Sequence, residues 1–129
     1  MADHLMMVLS NARPELENEF NDWYSKVHIV DIVDQLDGFI AAQRFVLSGE
    51  HADSAATFKY LALYWIQEDK LAEAQAAIAW QRAERGAAEA AGRQPVIPKL
   101  DVFAGETQAW FFSKISDKYA ADDSDVTAD

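Results

Sequence analysis

Tyr24, His28 and Asp31 stand four and three residues apart within Glu19-Phe20-Asn21-Asp22-Trp23-Tyr24-Ser25-Lys26-Val27-His28-Ile29-Val30-Asp31. On a helix, at about 100° per residue, those spacings place the three side chains beside one another. An unperturbed imidazole titrates near about 6.5, so His28 can take up and return protons at neutral pH. Asp31 would hold one ring nitrogen and set the tautomer. Tyr24 would donate a hydrogen bond to a carbonyl or enolate oxygen. Together they suit proton abstraction beside a carbonyl, ring closure, isomerisation or elimination. The same spacing also suits a structural histidine at a helix border, capped by a neighbouring carboxylate.

Other residues could serve such a site. Arg44 lies inside an apolar segment, where a charge needs a partner. It would bind a substrate carboxylate or phenolate, or else pair with Asp37, Glu50 or a partner subunit. Asn21 is a second positioning group. Trp23, Tyr64 and Trp110 are candidates to shape a pocket for a flat ligand, among aromatics that otherwise read as core and interface. The histidines, His4, His28 and His51, do not pair at ligand spacing, so no metal is expected. The chain has neither a glycine-rich phosphate loop nor a Gly-x-Ser-x-Gly elbow, and cysteine is absent. Nucleotide binding, serine hydrolysis and thiolate chemistry are therefore not expected.

The helix that must carry His28 is legible. Leu16, Phe20, Trp23, Val27 and Val30 form a stripe expected to face a core, with Tyr24, His28 and Asp31 along its border. Arg13-Pro14 and the early glutamates mark its start, and Asp37-Gly38 its stop near Leu36. A strand over Leu5–Leu9 precedes it. Phe39–Leu47 and Phe58–Ile66 read as further strands, separated by a polar loop from His51 to Thr57. A second helix is expected from Glu68 to about Arg85, with Leu71, Ala74 and Ile78 inward. The stretch 86–104 reads as a fraying helix end and extended connection, and Thr107–Ile115 as the last strand. Residues 117–129 form an acidic tail expected to lack structure.

The order strand, helix, strand, strand, helix, strand predicts an α+β, ferredoxin-like βαββαβ sandwich over residues 1–116. In that fold both helices cover one face of the sheet. The strands here are apolar on both faces, so a second copy is expected to cover the other, giving a homodimer. The chain has 129 residues, with 22 acidic against 11 basic and a formal net charge of −11. That balance argues against nucleic acid and against anionic membrane surfaces. Without a secretory leader or a run of roughly 18 apolar residues, a cytoplasmic protein is expected.

Three pieces of the sequence resemble the dimeric α/β-barrel superfamily of small ferredoxin-like proteins. They are a first strand ending in Ser10-Asn11, the segment Glu19 to His28 with its Phe-x-x-Trp-Tyr-x-x-x-His pattern, and Asp37-Gly38-Phe39 leading to Ala42-Gln43-Arg44-Phe45. The resemblance includes EthD-like, polyketide-cyclase-like and cofactor-free monooxygenase-like proteins. It implies a homodimer with a pocket between helices and sheet in each subunit. The expectation is a cofactor-independent enzyme doing acid/base chemistry on a small aromatic or carbonyl compound. A cofactor-free monooxygenase and a non-catalytic dimer binding an apolar metabolite are the alternatives.

Overall fold

The computed structural model describes residues 2–48 and 57–121. Its elements follow the expected order: β1 (Ala2–Ser10), α1 (Glu17–Trp23), α2 (Ile29–Gln35), β2 (Phe39–Val46), β3 (Tyr60–Gln67), α3 (Leu71–Ala91) and β4 (Gln108–Ser113). A short turn of 3₁₀ helix, Pro14–Leu16, leads into α1, and a π-helical turn, Tyr24–His28, joins α1 to α2. The strands form one antiparallel sheet in the order β2-β3-β1-β4. Both central strands are paired along both edges, as the ferredoxin-like connection requires.

Strand alternation divides the sheet into two faces. Tyr60, Ala62, Tyr64 and Ile66 of β3 are buried with Met6, Phe20, Ile32 and Ile78 in a core between the sheet and the helices. Their neighbours Leu61, Leu63 and Trp65 turn the other way and are only half-buried. On that second face Trp110 and Phe112 remain about half exposed, at 54% and 50%.

Two element boundaries and one buried stripe differ notably from expectation. The first strand begins at Ala2, because His4 and Asp3 find partners at the sheet's end: His4 Nδ1 bonds Ser113 Oγ at 2.7 Å, and Asp3 pairs with Lys114 at 3.0 Å. The second helix continues to Ala91, six residues past Arg85. Alanines and glutamates carry it, and Gly92, at φ 69°, ends it with Gly92 N–H donating to Glu89 and Arg93 N–H to Ala88. The connection proper is therefore shorter than 86–104. The third difference is the inward stripe of the first helix. Phe20, Tyr24, Ile32 and Leu36 are buried, whereas Val27 and Val30 are each 45% exposed. The π turn inserts a residue and changes which face points inward.

Most of the loop expected from His51 to Thr57, together with Glu50, lies outside the described residues, as do residues 122–129 of the expected tail. Residues 114–121 follow β4 without regular structure and are exposed.

Gly38 closes the first helical layer onto the second. Its φ is +94°, its carbonyl accepts from Gln67 N at 2.9 Å, and a Cβ there would stand 3.0 Å from Ala74 Cβ and 3.0 Å from the Lys70 carbonyl oxygen. Gly86, inside α3, has open space around it. Gly38→Ala is expected to cost about 1–3 kcal/mol through strain and contact. Gly86→Ala is expected to add about 0.5–1 kcal/mol of helix stability. Urea denaturation of both variants against wild type measures the two opposite signs.

Candidate active site

A cavity of about 100 Å³ lies between the helices and the buried face of the sheet. The first helical layer contributes Tyr24, His28 and Ile32. The sheet contributes Met6, Val8, Tyr64 and Ala109, and α3 contributes Ile78, Gln81, Arg82 and Arg85. Lys99, Phe103 and Thr107, from the connection before β4, complete the wall. The volume is on the scale of an apolar cavity of about 150 Å³ that admits benzene, so one ring is the natural occupant.

The connection is firmly placed. Ile97 and Val102 are buried at 1% and 3% exposure. Glu84 accepts from Arg93 Nη1 at 2.6 Å and from the Val96 amide at 2.9 Å. Arg13 N–H donates to the Val102 carbonyl at 2.9 Å, and the Arg13 side chain meets Asp101 at 2.8 Å. These contacts tie the connection to α3 on one side and to the start of the first helix on the other.

His28 sits in the π turn with its ring stacked on Trp23, centroids 4.7 Å apart and planes 25° from parallel. The Tyr24 ring meets it edge-on at 5.1 Å. Its Nδ1 is buried without a hydrogen-bond partner. Burial, reinforced by the charges of Arg85 and Lys99, lowers its pKa to about 4. At neutral pH the imidazole is therefore uncharged, with a lone pair free to accept a hydrogen bond or a proton.

Tyr24 and Tyr64 form the floor beside it. Burial raises both phenols above their ordinary pKa, Tyr64 most strongly. Both are therefore neutral hydrogen-bonding groups. Arg44 stands behind Tyr24, its guanidinium 4.5 Å from that ring's centre and 5.2–5.3 Å from the rings of Phe20 and Tyr60. It donates to Ser25 Oγ at 2.8 Å and to Asn21 Oδ1 at 2.9 Å. Asn21 donates in turn to the Tyr60 hydroxyl at 3.2 Å. Arg44 and Asn21 thus fasten the helix to the sheet and do not line the cavity.

The candidates read from the sequence separate accordingly. Tyr24, His28 and Tyr64 come together at the cavity, with Trp23 against His28. Asp31 does not hold the imidazole: its carboxylate accepts from Gln35 at 3.3 Å. Trp110 pairs opposite Met7 on the other face of the sheet and bonds Gln108 there at 3.2 Å, so it does not line the cavity.

Gln81, Arg82, Arg85, Lys99, Phe103 and Thr107 were not anticipated. For three of them a signal existed. Continuing the inward row Ala74 and Ile78 at helical spacing reaches Gln81, Arg82 and Arg85. For Lys99 and Phe103 no local pattern marks a role. Among the described residues, no group of three histidine or acidic side chains is placed to hold a metal ion.

No protein-family model matches the sequence, and no curated protein does. Solved structures do match. HapK from Hahella chejuensis superposes with a TM-score of 0.57 at 13% identity, over 92% of this chain and 98% of HapK. An EthD-family protein from Bacillus halodurans gives 0.52 at 13% identity, over 89% of this chain and 100% of that one. The monooxygenase ActVA-Orf6 of Streptomyces coelicolor, solved with Nanaomycin D, gives 0.52 at 11% identity, over 93% and 94%. At these identities the likeness speaks for the fold. The chain shares with these structures a ferredoxin-like α+β fold, over nearly its whole length.

Proposed function

We propose that this protein is a small enzyme that moves a proton on a monocyclic phenolic or carbonyl compound without a cofactor, driving isomerisation, cyclisation or elimination. The observation that carries this reading is the uncharged, unpartnered His28 on a one-ring cavity, beside the Tyr24–Tyr64 pair. His28 takes the proton. A neutral phenol, Tyr24 or Tyr64, donates to the oxygen on which negative charge develops. Trp23 holds the imidazole ring in place. Asn21 and Arg44 act one layer back, by keeping Tyr24 where it is.

A second reading is favoured by the structural likeness to a monooxygenase. A phenol deprotonated by His28 can itself reduce oxygen: one oxygen atom enters the ring and the other leaves as water, giving a quinone. The first step is the same proton transfer, so oxygen uptake distinguishes the two. A dimer that binds an apolar metabolite without converting it is the third outcome.

A homodimer belongs to this reading. Leu61, Leu63, Trp65, Trp110 and Phe112 share the open face of the sheet, and an apolar surface of that extent is stabilised by a like surface. Among the described residues no helix is long and apolar enough to cross a membrane. With no cysteine to protect, a reducing cytoplasm suits the chain.

Monocyclic phenols and cyclic ketones incubated in deuterated water test the chemistry. Wild type is expected to exchange hydrogen on carbon next to the oxygen function of at least one compound, followed by NMR. His28→Gln is expected to lose about 10²–10⁴-fold of that rate while still being stabilised by the compound in a thermal shift. Stabilisation of both proteins with exchange in neither points to the binding protein.

His28 also predicts a pH dependence of stability. Its pKa is about 4 when folded and near about 6.5 when unfolded. Between those values the unfolded chain binds the proton and the native chain does not. Stability conferred by neutral burial is thus full above about 6.5 and falls as pH drops toward 4, by on the order of 3 kcal/mol. The difference between wild type and His28→Gln in urea unfolding, measured across that range, isolates this slope.

Trp110→Lys is expected to shift the protein from dimer to monomer at micromolar concentration, as read by analytical ultracentrifugation. A wild-type monomer under the same conditions rules out the dimer.

A further inference from the structure

The distribution of positive charge singles out the cavity. Among the described residues Arg13, Lys26, Lys59, Lys70, Arg93 and Lys114 are each paired with a carboxylate. Arg44 is held by Asn21 and Ser25. Arg82, Arg85 and Lys99 have no such partner, and all three line the cavity. The Arg85 Nε is buried with nothing to bond. This happens in a chain of net charge −11, where carboxylates are plentiful.

The neighbouring acids are engaged elsewhere. Glu84 is taken by Arg93 and the Val96 amide, and Asp101 by Arg13. Glu89 acts on Arg85 and Lys99 without forming an ion pair with either. Arg85 and Lys99 repel one another, and both lower the pKa of His28. Lys99 lies over the Phe103 ring at 4.7 Å, which positions its ammonium without neutralising it. Arg85 is part-buried, with its Nε fully so, and Lys99 stands beside it at the more exposed mouth; like charges held together at such a site are relieved when an anion joins them.

Resting on the cavity's being the active site, we infer that the substrate is an organic anion, a one-ring or similarly small compound carrying a carboxylate. Arg85 and Lys99 take the carboxylate, and Arg82 at the rim draws it in. The ring lies along Tyr24 and Phe103, which places the far end of the ligand toward His28. The anion-binding role passes from Arg44, where the sequence placed it, to α3 and the connection. A carboxylate gains from both cations, whereas a neutral ligand of the same shape leaves them unpaired.

The test compares para-hydroxybenzoate with para-hydroxybenzamide, which match in shape and differ in charge, by NMR titration of wild type, Arg85→Gln, Lys99→Gln and Lys26→Gln. Wild type is expected to bind the carboxylate at least about tenfold more tightly than the amide. Arg85→Gln and Lys99→Gln each lose most of that preference while keeping the amide affinity. Lys26→Gln, which removes the same charge from an exposed i,i+4 pair with Asp22, keeps the preference. Bound carboxylate is also expected to raise the pKa of His28, read from its ring proton shifts. Equal affinity for acid and amide in wild type, or a preference that survives loss of both Arg85 and Lys99, overturns the inference and leaves the cavity's role intact. Binding of neither compound removes the cavity reading as well.

Discussion

Phe20, Tyr24, His28, Ile32 and Leu36 stand four residues apart and all turn toward the sheet side of their helix. A regular helix cannot keep such a row straight. At about 100° per residue, each step of four overshoots a turn by about 40°, and four steps drift by about 160°. Inserting one residue in a π turn removes about 100° of that drift. The π turn is Tyr24–His28, so the irregularity falls at two of the three residues of this layer that meet the cavity. Phe20 and Tyr24, at 0% and 2% exposure, supply the return. Burying an aromatic side chain contributes about 1.5–3 kcal/mol, enough to offset one disturbed helical turn.

The same constraint places a polar ring in a dry position. A buried nitrogen without a partner costs about 1–3 kcal/mol, and His28 Nδ1 is one. The fold lowers this cost by keeping the imidazole neutral, which is what burial together with Arg85 and Lys99 achieves. Charge and burial thus act in one direction on His28. On Arg85 and Lys99 burial lowers the pKa, and neighbouring charges of both signs act on them as well. A neutral base beside unpaired cations is an arrangement completed by an anionic acid, and nothing in the core's own packing requires it.

The site is assembled from every layer of the fold. The helix brings base and phenol, β3 brings the second phenol, α3 brings two arginines, and the connection brings a lysine and a phenylalanine. Arg44 links these layers: its guanidinium lies among three aromatic rings and is bonded to the helix through Asn21 and Ser25. Its position one layer behind Tyr24 lets its Nη1 and Nη2 find helix partners without an acid, while its Nε stays buried and unbonded.

The sequence by itself determined the element order, and with it the ferredoxin-like sheet, because strand alternation, helical spacing and the Gly38 stop are local signals. It also singled out His28 and Tyr24, since residues four apart on a helix meet whatever lies beyond them. The inward row of α3 was legible in principle, as Ile78 continues to Arg82 and Arg85 at helical spacing. Tertiary structure alone decided the rest. The π turn arises from packing against the sheet, so the outward turn of Val27 and Val30 and the loss of Asp31 to Gln35 could not be read locally. The face of β4 that carries Trp110 was set by its register with β1. Lys99 and Phe103 reach the cavity because Glu84, Arg13 and the buried Ile97 and Val102 pin a segment without periodicity. Long-range contacts chose their place, and a linear sequence carries no mark of them.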